Sequence, residues 1–194
     1  MKTSSTLIAI DDEIELRQLT EKDAQVVFSL VDRNRVYLRT WLPWLDAIQS
    51  MEDERAFLGI AYASAQERNS LSCGIFHRGE FTGMISYHPI DWANRKTEIG
   101  YWLGAQFQGR GLMTKACMAL VDHAFDKLHL NKVEIRCAVG NERSRAIPQR
   151  LGFLQEGISR QAEWLYNHYV DLVLYGMLAD EWQNHDHTTV STRS

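Results

Sequence analysis

The chain has 194 residues, 45% of them hydrophobic, with 21 Lys and Arg against 25 Asp and Glu and a formal net charge of −4 at pH 7. That length and apolar content suffice for one well-buried core, and no Pro-, Gly- or Ser-rich linker or internal repeat divides it. The negative balance argues against a dedicated DNA or RNA binder, and nowhere does an apolar run reach the roughly 18 residues a membrane span needs.

The elements follow in chain order. Residues 1–12 are expected to lie outside the domain. Residues 13–19 alternate well enough for an edge strand, and Thr20-Glu21-Lys22-Asp23 opens a helix to about Asp32 as a capping box. Residues 34–44, with Val36, Leu38, Trp41, Leu42 and Trp44, predict a short helix ended by Pro43. Residues 51–69 predict a longer amphipathic helix with Phe57, Leu58, Ile60 and Ala61 inward, completing a helical flap. Two runs flanking Arg78-Gly79 read as a hairpin, and residues 96–104 supply the next strand of an antiparallel meander.

From 112 to 128 the residues Met113, Ala116, Leu120, Ala124 and Leu128 share one helical face, and 133–139 reads as a buried strand. That strand can lie parallel to 96–104 across the helical crossover. Asn141 caps a further helix, which ends at the Schellman-like Leu151-Gly152-Phe153. Strands over 154–164 and 168–178 complete a mixed sheet flanked by helices, an α+β fold in one domain over 13–182. Residues 183–194, polar and aperiodic, are expected to form a disordered tail.

Cys73, Cys117 and Cys137 sit in dispersed apolar settings without C-x-x-C or Cys/His spacing, and the seven histidines form no ligand set, so no metal is assigned. The cysteines read as core residues in a reducing cytosol. The N-terminal stretch lacks the apolar region and cleavage site of a secretory signal. A cytoplasmic protein with no membrane partner is the expectation.

The most informative stretch is KTEIGYWLGAQFQGRGLMTKAC, residues 96–117. It runs from a strand through a glycine loop into a helix, a geometry that offers unpaired backbone N–H groups and a positive dipole end to an anion. An ordinary tight turn has the same composition. The loop lacks the third glycine and later acid of the dinucleotide fingerprint, and Gly111 is followed by Leu112 rather than by the Lys-Ser/Thr of a P-loop. Neither of the two commonest phosphate loops fits.

The stretch resembles the pyrophosphate loop of the GNAT acetyltransferase superfamily, Q/R-x-x-G-x-G/A. Residues 106–111 fit the letters, whereas the superfamily's placement between strand and helix favours Gln108-Gly109-Arg110-Gly111-Leu112-Met113, with Met113 where Gly or Ala is expected. Through IGYWL, FQGRGLMTKA, VGNERSRAIPQRLGF and WLPW the chain is similar to the ribosomal-protein N-terminal acetyltransferases, from about Glu13 to Trp182. The resemblance implies the GNAT fold, with its central parallel strands splayed apart, and acetyl-CoA as cosubstrate. The cosubstrate would be held by Tyr101, Trp102, Leu103, Gln108, Gly109, Arg110, Gly111, Leu112, Met113, Thr114 and Asn141. Gly100, costly within a strand, marks the bulge of that splay or a close approach, or else accommodates Trp102 or another bulky neighbour.

Carried over on the same likeness, Ser144 in Asn141-Glu142-Arg143-Ser144 is the candidate general acid beside the sulfur. Its bland alternative is a first-turn serine bonding the local backbone. Pro148, four residues on, frees the Ser144 carbonyl. Glu163 matches the position of the relatives' proposed general base, its pKa raised by Trp164, Tyr166 and Tyr169; the alternative is a solvated strand carboxylate. Glu98 is the second candidate base, with a structural ion pair as its other reading. Trp41 and Trp44 line the acceptor groove with Glu98 and Tyr166, or seal the flap to the core. Arg110, Lys115, Arg143 and Arg145 could meet the cosubstrate's phosphates.

The expected acceptor is a protein N-terminal α-amine, with a small-molecule amine such as a polyamine, amino acid or antibiotic as the rival, and a non-catalytic acyl-CoA-binding module as the reading from another class. About a tenth of an α-amine near pKa 8 is neutral at pH 7, against about one part in 2,500 of lysine near 10.4, a gap of roughly 3.3 kcal/mol. A weak carboxylate base suits the former. The resemblance also admits a homodimer, for which no apolar stripe in the sequence gives independent support.

Overall fold

The computed structural model describes residues 6–184. The chain opens with strands β1 (Thr6–Ala9) and β2 (Ile14–Gln18), followed by the flap helices α1 (Ala24–Arg33), α2 (Arg35–Arg39) and α3 (Met51–Gln66). Strands β3 (Leu71–His77), β4 (Glu80–Tyr87) and β5 (Lys96–Leu103) form the meander, and α4 (Leu112–Asp122) crosses over to β6 (Lys132–Ala138). Helix α5 (Glu142–Arg150), the long hairpin β7 (Leu154–Leu165) and β8 (His168–Leu178), and the short α6 (Ala179–Gln183) complete it.

All eight strands join one sheet in the order β1-β2-β3-β4-β5-β6-β8-β7. Every neighbouring pair is antiparallel except β5 and β6, as the crossover expectation required. The helices divide between its two faces: the Tyr101 hydroxyl on β5 reaches α5, and the Tyr87 hydroxyl on β4 bonds the Leu120 carbonyl of α4. Trp102, one residue on and so on the opposite face, packs against Trp44 of the flap.

Local chemistry explains the boundaries. The capping box at Thr20 forms, with Asp23 accepting from the Thr20 amide at 2.8 Å, and Ser50 repeats the device with Asp53 at the start of α3. Arg78 and Gly79, at φ 52° and 79°, make the tight hairpin turn. At the end of α5, Gly152 takes φ 78°, and the Phe153 amide donates to Pro148 O at 2.9 Å, the Schellman geometry.

Three expectations are corrected. Residues 14–18 are not an edge strand, because Thr6–Ala9 pairs outside them. The predicted helix over 34–44 stops at Arg39, well before Pro43, and the chain turns so that the Arg35 guanidinium donates to the carbonyls of Leu45 and Ile48, 2.8 Å each. In α3 only Leu58 of the expected inward set is buried, while Phe57 and Ile60 face outward and Glu54 takes an inner position at 2% exposure. The tail beyond residue 184 lies outside the described residues. Cys73, Cys117 and Cys137 are buried free thiols, as core cysteines should be.

Candidate active site

The parallel pair β5 and β6 is joined only over Lys96↔Lys132, Thr97↔Val133 and Glu98↔Glu134. Beyond that point the strands part, so residues 99–103 and 135–138 face one another without a ladder. Backbone groups in a widening gap between strands seek another partner, and the site is built around this split.

On the α4 and α5 side, the glycine loop closes the mouth. Gly109 and Gly111 adopt φ 73° and 72°, and a Cβ built on either would meet open space. The Gln108 amide still donates to Ala105 O at 3.4 Å, and bonding resumes with Lys115 donating to Gly111 O at 3.0 Å. Between them, the amides of residues 109–114 find no partner among the described residues, as expected for a loop running into a helix start. Met113, where the family pattern has a smaller residue, is buried in the core, so it brings only its backbone to the loop. Thr114 is likewise buried.

The side chains around the loop are tied to one another. Gln108 donates to the Tyr37 hydroxyl and accepts from Arg143 at 2.6 Å, linking flap, loop and α5. Arg110 bonds Gln106 O at 3.0 Å, Lys115 pairs with Asp11 at 2.9 Å, and Arg145 bonds Val139 O at 2.9 Å. All four expected phosphate partners thus hold protein groups. Tyr37 was missed because nothing in a helix-period pattern distinguishes a tyrosine that reaches a loop about 70 residues away.

Inside the split lies a compact polar group. Asn141 caps α5 by accepting from the Ser144 amide at 3.2 Å. The Ser144 hydroxyl points away from the local backbone, 3.1 Å from Cys137 Sγ and 3.4 Å from Tyr101 Oη. Tyr101 in turn donates to Ser144 O at 3.0 Å, the carbonyl that Pro148 leaves free. Burial pushes the Tyr101 hydroxyl well above its ordinary pKa and raises the Cys137 thiol as well, so both are neutral near pH 7. Cys137 was read from sequence only as core; its partnership with Ser144 emerges from the turn that folds the start of α5 back against the end of β6.

The opposite face of the split is acidic and open. Pairing places Glu98 beside Glu134 and Glu134 beside Gly176; Leu172 and Val170 follow on the same face of β8, and Glu163 pairs with Val170. Glu98 and Glu163 therefore share a face. Glu98 holds Arg136 at 3.0 Å and His88 at 3.3 Å, so its ion-pair reading is the one found. Gly100 follows from the same contact: a Cβ there would sit 2.6 Å from His88 Nε2, and no bulge interrupts β4 and β5 at this point. The neighbour it accommodates is His88, not Trp102.

Glu163 is half-buried, and its pKa is raised first by that burial and then by the charge on Glu98. The expected direction and its origin in burial are found, but Trp164 and Tyr169 do not supply that burial: they pair with each other on the far face, 50% and 58% exposed.

Of the expected groove residues, Trp41 lies against Gly140, where a Cβ would be 3.6 Å from its ring. Trp44 packs on Trp102, and Trp102 on Phe81, so the Trp102 ring belongs to the core beneath the flap rather than to the split. Leu103, back on the Tyr101 face, is partly buried against the hydrophobic core. Tyr166 donates to Leu42 O and carries the Arg39 guanidinium 3.6 Å above its ring, latching the β7–β8 hairpin to the flap.

A sheet split at the one parallel pair among the described residues, with unpaired amides at one mouth and a carboxylate over the other, has the architecture of an N-acyltransferase. The chain belongs to the acetyltransferase (GNAT) domain family, whose model matches residues 13–154, and it is an N-acetyltransferase. It is 38% identical to YdaF of Bacillus subtilis (strain 168) over 90% of this chain and 96% of that one. It is 32% identical to the ribosomal-protein-serine acetyltransferase of Escherichia coli (strain K12), over 89% and 97% respectively. Among solved structures, RimL, a ribosomal L7/L12 α-N-protein acetyltransferase in complex with coenzyme A, superimposes with a TM-score of 0.87 at 30% identity, covering 90% of this chain and 98% of that one. No helix among the described residues is long and apolar enough to cross a membrane.

Proposed function

We propose that the chain transfers an acetyl group from acetyl-CoA to the N-terminal α-amine of a protein, with a ribosomal protein as the acceptor class. The observation that supports this reading is the position of two side chains on opposite faces of one split: the Ser144 hydroxyl on the helix side and the half-buried Glu163, its pKa raised by burial, on the open side. The relatives' named activities on ribosomal proteins support the acceptor.

The residues fit the cosubstrate. Two left-handed glycines with open space above them and six unpartnered amides suit a diphosphate, and the unladdered edges of β5 and β6 suit an amide-bearing arm. Acetyl-CoA supplies the activated thioester. Gly109 to Thr114 would hold its phosphates by main-chain donors, and Asn141 would steady the arm with its free amide hydrogens. Ser144 would donate a hydrogen bond toward the departing sulfur, its orientation fixed by Tyr101 and the Asn141 cap. RimL's coenzyme was solved joined to a cysteine by a disulfide, and Cys137, 3.1 Å from Ser144, is this chain's cysteine at the split.

Glu163, ionised after losing its proton, would accept the proton of the incoming ammonium directly or through a water. Glu98, already committed to Arg136 and His88, would supply negative potential that draws the cation in. Trp41 beside Gly140 and the Tyr166 latch would border the acceptor's entry.

The test compares a panel of N-terminal peptides with free polyamines and amino acids, following thiol release from acetyl-CoA. Peptide-dependent release that vanishes when the α-amine is blocked is the expected result. Faster turnover of free polyamines would overturn the acceptor, and no amine-dependent release at all would leave the binding-module reading in its place.

A further inference from the structure

The β7–β8 hairpin contains a feature that the chemistry so far does not use. The two strands pair regularly from Leu154↔Gly176 to Ser159↔Leu172, apart from a slip at Glu156, and again from Glu163↔Val170 to Leu165↔His168. Between these stretches Arg160, Gln161 and Ala162 stand opposite the single residue Asp171. Had the register at Ser159 continued, Glu163 would oppose His168. The two extra residues place it opposite Val170 instead, about 7 Å closer to the split at roughly 3.3 Å per residue. Because the shift is even, Glu163 keeps its face.

Such a bulge requires a fastening. Gln161 occupies φ 49°, a left-handed conformation that a non-glycine residue adopts at a cost. Its amide, displaced from the ladder, donates to Asp171 Oδ1 at 2.7 Å. The Asp171 carbonyl accepts from the Val139 amide at 3.0 Å, carrying the β6–β8 ladder one step toward Gly140 and Asn141, the cap of the helix that bears Ser144. One residue thus fixes the segment of each candidate catalytic group, one through its side chain and one through its main chain. The consequence is visible in exposure: among residues 158–164, only Glu163 is partly buried rather than exposed.

We propose that Asp171 is a positioning residue for the acetyl transfer, holding the β7 bulge so that Glu163 stands over the open face beside Glu98. The inference rests on the reading of Glu163 as the base. The charged groups on the face of Glu163 are Glu98 and Lys96 on β5, Lys132, Glu134 and Arg136 on β6, Glu156 on β7 and His88 after β4, with Lys96 and Lys132 paired to Glu134 and Lys132 also to Glu156.

The experiment uses the full chain with Asp171→Ala, which removes the acceptor, and Asp171→Asn, which keeps an oxygen for the Gln161 amide. The readouts are amide exchange at Gln161, carboxyl titration of Glu163 by NMR, and kcat/KM with acetyl-CoA and a Ser-initiated hexapeptide. In Asp171→Ala the Gln161 amide exchanges faster, and the Glu163 titration moves toward the ordinary carboxylate range. Its kcat/KM falls about tenfold or more, a part of the roughly 10²- to 10⁴-fold a general base supplies. Asp171→Asn stays near the parent in all three, and Asp171→Ala adds little in a Glu163→Gln background. A Glu163 titration unchanged in Asp171→Ala overturns the proposal, as does a loss of the same size in the Glu163→Gln background. If Glu163→Gln alone keeps the parent's rate and pH profile, the base reading fails, while the NMR titration still judges whether Asp171 places Glu163.

Discussion

The Tyr101 hydroxyl donates to the Ser144 carbonyl at 3.0 Å, across the gap between β5 and the first turn of α5. This bond exists because Pro148 has no N–H to offer that carbonyl. It fixes the helix that carries Ser144 against the strand that lines the split.

Removing the donor tests that pin. Tyr101→Phe leaves the Ser144 carbonyl unpaired in a half-buried site, at a cost of about 1–3 kcal/mol. A lower melting temperature and a reduced kcat are expected together. A variant of unchanged stability and rate would show that the bond contributes nothing.

Ser144→Ala should slow turnover by about tenfold or less rather than abolish it, because a thiol of pKa near 8.5 leaves fairly readily unprotonated. Calorimetry should find the affinity for coenzyme A unchanged. Complete inactivity with intact binding would contradict the modest role given to this hydroxyl.

With Glu163 as the proposed base, a pH dependence follows. Burial and Glu98 favour its protonated form, and a base works only when ionised, so kcat/KM should rise with pH through a limb above the ordinary carboxylate range. Glu163→Gln should remove that limb and lower the rate about 10²-fold or more. The rate profile of both proteins from pH 5 to 8 decides it.

Glu54 yields a stability prediction away from the chemistry. At 2% exposure its carboxyl is pushed up to about 7 by burial, against 4.5 for an ordinary glutamate. A folded-state pKa above the unfolded one favours the fold fully below about 4.5 and loses that contribution as pH rises through 7. The loss is at most about 3 kcal/mol, taking 1.36 kcal/mol per unit. Glu54→Gln should therefore raise the melting temperature at pH 8 and change it little at pH 4.5. Equal effects at both would remove the account.

Much of this fold was legible because local rules decide it. The Arg78-Gly79 turn, the caps at Thr20 and Asn141, the Schellman end at Gly152 and the parallel crossover all formed where turn chemistry and period placed them. Phe57 and Ile60 were misplaced because α3 has no clean apolar stripe: a buried glutamate takes one of the inner positions. The strand over Thr6–Ala9 was missed because four residues carry too little alternation. At the site, Ser144 and Glu163 were reached through resemblance. Cys137 was read only as a core thiol, and His88, Arg136 and Asp171 were not singled out, since their significance comes from how strands are paired and placed side by side. Behind burial, the second contribution to the Glu163 shift lay in the same blind spot: its charged neighbour Glu98 is 65 residues away.

Everything proposed for this site depends on the bare amides of residues 109–114 gripping the coenzyme's linked phosphates. The direct test is an NMR titration of the folded, amide-labelled protein with coenzyme A. The account predicts saturable binding, with the largest amide shifts at Gly109, Gly111 and the first turn of α4. Absence of binding, or saturable binding whose shifts cluster elsewhere while this loop stays unmoved, would contradict it.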